Sequence, residues 1–126
     1  MGAMNNENAT QVSVLDLGSI TADADVFGMY FPKKSKIVSA KIVNGAGISQ
    51  SDTDYGIVKL MDGSVEKAKH STKLTGGDSA LVANVPASMV VSDDDVAAGS
   101  YLKANYDETG TYAMTSAKLI VEWYPL

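Results

Sequence analysis

Residues 36–43, Lys36-Ile37-Val38-Ser39-Ala40-Lys41-Ile42-Val43, decide how the chain is read. Side chains alternate across a β-strand with a period of two. Here Val38, Ala40 and Ile42 form a wholly apolar set, opposite Ile37, Ser39, Lys41 and Val43. The stretch is therefore expected to be a strand whose Val38/Ala40/Ile42 face meets a core.

Working outward, the same alternation recurs between turn signals. Tyr55–Met61 and Ser64–Lys69 flank Asp62-Gly63, a strong hairpin dipeptide. Ser100–Tyr106 sets Leu102, Ala104 and Tyr106 against Tyr101, Lys103 and Asn105. Ala117–Tyr124 gathers Leu119, Val121 and Trp123 on one face before Pro125. Toward the N-terminus, Gln11–Leu17 places Val12, Val14 and Leu17 together and closes at Gly18, and Val26–Phe31 is stopped by Pro32. Leu81–Val85 and Met89–Val91 are shorter apolar runs. Asp93–Gly99 reads as one helical turn or a loop, with Gly99 as terminator. About eight short strands without a convincing amphipathic helix indicate an all-β antiparallel β-sandwich.

The domain is expected to span residues 11–126. In residues 1–10, Met1-Gly2-Ala3-Met4 reads as an expression scar, and the rest as a flexible polar N-terminal arm. At 126 residues and 45% hydrophobic content the chain can bury one core without a staple. Cysteine is absent, which excludes disulfides and thiolate chemistry and fits a reducing cytoplasm. All 10 basic residues are lysines and the net charge is −5, so neither nucleic acid nor an anionic membrane surface is an expected partner. No apolar run approaches the roughly 20 residues of a membrane-spanning helix.

Candidate chemistry is sparse. His70 is the lone histidine and is expected to be a solvated or half-buried strand residue rather than a catalytic or metal ligand. No nucleophile elbow or phosphate loop is present, so no catalytic and no cofactor-binding residues are expected. The chain is read as a non-enzyme. Asp93, Asp94 and Asp95 are weak Ca²⁺ candidates, because hard cations take several oxygen ligands, but a solvated loop is the simpler reading. Asp23/Asp25 and Asp52/Asp54 are spaced acidic pairs of the same kind. Most aromatic residues are expected in the core or rim, and outward ones such as Tyr124 beside Trp123 could form a protein- or sugar-binding face.

The stretch Val96-Ala97-Ala98-Gly99-Ser100-Tyr101-Leu102-Lys103-Ala104-Asn105-Tyr106, followed by Gly110-Thr111 and the last strand, resembles the closing hairpin of small jelly-roll virion proteins of tailed bacteriophages. Phe31-Pro32-Lys33-Lys34-Ser35-Lys36-Ile37-Val38-Ser39-Ala40-Lys41-Ile42 resembles their opening strands. Most similar are the head decoration (cement) proteins, and the likeness covers roughly residues 26–44 and 96–124. It implies a jelly roll located on the virion, a homo-oligomer such as a trimer bound to the major capsid protein or another virion protein. Its motifs are turn chemistry, so no family functional residue carries over. The alternative is a carbohydrate-binding or fibre/tail adaptor module on the same scaffold.

Overall fold

The computed structural model describes residues 9–126, so the scar and most of the arm lie outside the described residues. The chain forms β1 (Gln11–Ile20), β2 (Ala24–Phe31), β3 (Ser35–Val43), β4 (Tyr55–Asp62) and β5 (Val65–Ser71). The short β6 (Ala87–Ser88), β7 (Val90–Val91) and β8 (Asp95–Val96) follow, and β9 (Ser100–Thr109) and β10 (Met114–Pro125) close the fold. Among the described residues there is no helix, and Asp93–Gly99 holds the β8 strand rather than a helical turn. Gly99 does terminate the segment, at φ 81°, a left-handed turn that suits glycine.

One sheet has the order β1-β10-β3-β6, with β8 also pairing β3, and the other runs β2-β9-β4-β5-β7. All the strand pairs are antiparallel. If β6, β7 and β8 are taken together as one broken sixth position, whose β6 and β8 pieces pair with β3 and whose β7 piece pairs with β5, the sheets read first-eighth-third-sixth and second-seventh-fourth-fifth. That is the jelly-roll order, in which the chain passes back and forth between two packed sheets. The broken position accounts for the ten strands found where about eight were expected.

The core lies between the sheets. From the first sheet it takes Leu15, Leu17, Ile37, Ala40, Ile42, Leu119 and Val121, and from the second Met29, Phe31, Val58, Leu60, Leu102, Ala104 and Tyr106. Two strands turn a different face inward from the one alternation predicts. In β3, Trp123 pairs with Ile37 and Glu122 with Ser39, so Val38 is an extra, bulged residue. A β-bulge reverses the in/out phase of the residues beyond it. Ile37 is thereby buried and Val38 is 52% exposed, while Ala40 and Ile42 face the core as expected. In β1 the inward set is Leu15, Leu17 and Ile20, with irregular register around Gly18, and Val12 and Val14 point outward. Ser13 stands on the inner side because its hydroxyl accepts a hydrogen bond from the Trp123 indole at 2.9 Å.

At one end of the sandwich, Tyr106 and Tyr112 stack with ring centroids 5.7 Å apart, and the Tyr106 hydroxyl donates to the Tyr112 carbonyl at 3.0 Å. Burial pushes both phenols above their ordinary range. A Cβ added at Gly56 would overlap the Tyr112 ring. Gly56→Ala is therefore expected to destabilise the fold by about 1–3 kcal/mol, as overpacking does. Chemical denaturation of the two proteins measures this, and equal midpoints would refute the packing role.

Candidate functional site

The acidic run is where sequence reasoning placed its weak metal candidates, and the structure brings their carboxylates within 4.8 Å of one another. The same carboxylates also meet lysines. Lys67 is the extra residue of a second bulge, since Leu60 pairs with Ala68 and Met61 with Glu66. The bulge turns Lys67 inward, where only 8% of its side chain is exposed. Its ammonium donates to Asp93 Oδ2 at 2.9 Å and to the Asp95 carbonyl at 2.6 Å. Lys36 lies 3.5 Å from Asp94 and 3.2 Å from Asp95. The hydrogen bond from Lys67, then that from the Asp95 amide, hold the Asp93 carboxyl below the usual carboxylate range. With two ammonium groups set among three carboxylates, the run works as a clamp of the β8 segment onto β3 and β5.

The other acidic pairs divide their work between loops. Asp52 accepts from the Thr75 amide and hydroxyl, both at 2.8 Å, and Asp54 accepts from those of Thr111 at 2.8 and 3.1 Å. These bonds hold both carboxyls below their ordinary range. Asp23 accepts from the Glu108 amide at 2.8 Å. Each of these residues latches a loop, and the members of a pair do not converge on a common point.

His70 is more enclosed than expected, being 1% exposed. Its Nε2 lies 3.0 Å from Ser79 Oγ, and the neighbouring Asp78 carboxylate accepts from the Ser71 amide at 2.7 Å rather than orienting the imidazole. Burial, partly opposed by the charge of Asp78, pushes the imidazole below its ordinary value of 6.5. The serine and the histidine meet only in the fold, since their spacing carries no motif.

The outward aromatic residues are not those singled out from the sequence. Trp123 packs edge-on against Phe31 with centroids 4.8 Å apart, and Tyr124 is half-buried. Phe27, Tyr30 and Tyr101 are the exposed rings instead, at 56%, 59% and 51%. A third bulge explains their grouping. Phe27 pairs with Lys103 and Met29 with Leu102, leaving Gly28 extra. Residues three apart point to opposite faces of a regular strand, but across this bulge Phe27 and Tyr30 share one face. Tyr30 stands opposite Tyr101 in the ladder, and Phe27 stacks on Tyr101 with centroids 5.9 Å apart and an interplanar angle of 29°.

The sheet edges are the remaining surface of interest. Among the described residues β1 pairs only with β10, and β2 only with β9. From Gln11 to Asp16 the β1 ladder is regular, so its outer edge presents a row of main-chain groups unpaired among the described residues. Comparison with protein-family models, with curated proteins and with solved structures found no match.

Two measurements test these assignments. Lys67→Ala removes a buried cation that ties β5 to the β8 segment, and is expected to cost about 1–3 kcal/mol. Lys36→Ala, whose pairs are exposed, should leave the melting temperature unchanged. Equal effects would refute the clamp. For His70, an unfolded chain takes up a proton below about pH 6.5 while the folded chain resists it. Stability should therefore fall as pH is lowered from 6.5, by at most about 1.4 kcal/mol per pH unit. Because His70 is the only histidine, His70→Gln should flatten the profile between pH 6.5 and 5. Urea denaturation across that range decides the matter, and identical slopes would clear His70 of the effect.

Proposed function

We propose that this chain is a non-enzymatic structural protein of a tailed-phage virion, a decoration protein that binds the capsid and stabilises the head. It acts as a homo-oligomer, a trimer, against the major capsid protein. The observation that carries the reading is the regular outer edge of β1, unpaired among the described residues and placed directly after the N-terminal arm. Main-chain hydrogen bonds to such an edge give affinity without special side chains. The jelly-roll order supports the reading, as does the likeness of residues 26–44 and 96–124 to virion jelly rolls. Repetition over a shell lattice would convert modest single-site affinity into firm attachment.

The reading is tested by co-sedimentation of intact and truncated protein with purified shells. The intact chain should sediment with the shells. A form starting at Gln11 should bind at least tenfold more weakly while melting at the same temperature. Failure of the intact chain to sediment would overturn the proposal, and full binding by the truncated form would remove the arm from it.

A further inference from the structure

Large rings exposed together on a sheet face mark a binding surface more often than rings scattered singly. The Phe27/Tyr30/Tyr101 group on β2 and β9 is such a surface, and it continues into a polar strip. Asp25 accepts from Asn105 Nδ2 at 2.8 Å and from Lys103 Nζ at 3.2 Å, and that ammonium also lies 5.5 Å from the centre of the Phe27 ring. The hydrogen bond from Asn105, then that from Lys103, hold the Asp25 carboxyl below the usual range, so the strip carries one negative and one positive charge side by side. Asn105 Oδ1 has no hydrogen-bond partner among the described residues.

We propose that the outer face of β2 and β9 is a binding site for a neutral glycan chain, with Tyr30 and Tyr101 as its stacking platform, Phe27 buttressing Tyr101, and Asp25, Lys103 and Asn105 as its hydrogen-bonding rim. A pyranose ring has an apolar C–H face and an edge of hydroxyls. The exposed rings of Tyr30 and Tyr101, opposite each other in the ladder, offer the first, and the fixed donors and acceptors beside them offer the second. Charge selects the class of sugar. Lys103 and Asp25 cancel locally, and a chain of net charge −5 disfavours an acidic polysaccharide.

The same ion pair argues against a second copy of this chain or another apolar protein surface as the occupant. Such a partner would strip water from Lys103 and Asp25, at a cost their mutual attraction does not reliably recover. Sugar hydroxyls replace that water bond for bond. The rings are exposed along two neighbouring strands, which suits a run of several sugar units rather than an enclosed terminus. The proposal is independent of the capsid reading, because the β1 edge belongs to the other sheet.

The full chain is titrated by calorimetry with cellohexaose, chitohexaose, maltohexaose and laminarihexaose at millimolar concentration, beside Tyr30→Ala and Tyr101→Ala. At least one hexasaccharide should bind. Each substitution should weaken it at least tenfold without moving the melting temperature, and Phe27→Tyr should retain binding. Absence of binding to all four, or binding that both substitutions leave intact, would overturn the proposal. So would a wild-type oligomer in light scattering that dissociates on Tyr101→Ala, which would make this face a contact between copies.

Discussion

Leu119 and Val121 in β10 are fully buried, and the orientation of the whole first sheet follows from them. β10 is hydrogen-bonded on both sides, to β1 and to β3, so a slip of one residue would turn its apolar pair to solvent and drag two ladders with it. Each neighbour must turn its inward face level with Leu119 and Val121. Leu15 and Ile42 meet Leu119, and Ser13 and Ala40 meet Val121. The partner strands do not hold a clean period of two along their whole length. They reach the common register by inserting residues, Val38 in β3 and an irregular step at Gly18 in β1.

Those insertions mark the boundary of what could be read from the amino-acid order. β9 and β10 were legible because each has one apolar and one largely polar side, and no bulge interrupts the pairing of β9 with β4. In β3 the residues on both sides of the alternation include large apolar groups, so Ile37 and Val38 were interchangeable on pattern alone. A bulge chose between them. Val12 and Val14 were misread for a related reason, since Ser13 looks like an outward residue until the Trp123 indole is seen to bond it. Local alternation is a good guide to strand existence and a weak one to which face is buried.

Sites were less legible than strands, because each depends on residues far apart in the chain. The aspartate run is visible as a string of carboxylates, yet its neutralising ammonium groups come from Lys36 and Lys67. The enclosure of His70 depends on the loop carrying Ser79. Phe27 and Tyr30 join Tyr101 only because Gly28 is bulged against β9. A residue with no side chain in an aromatic run is a usable signal for such an insertion, and it was present in Val26-Phe27-Gly28-Met29-Tyr30-Phe31.

The pairing of β1 with β10 also governs how the molecule answers force. Gln11 lies opposite Trp123 and Ile20 opposite Met114, so the outer ends of the first and last strands sit at the same pole of the sandwich. Tension applied at that pole pulls across the ladder and opens its hydrogen bonds one after another, beginning with Gln11 and Trp123. It does not load them all in shear. The same sheet would offer much greater mechanical resistance to a load applied between Gln11 and the far end of β10, where the bonds must yield together.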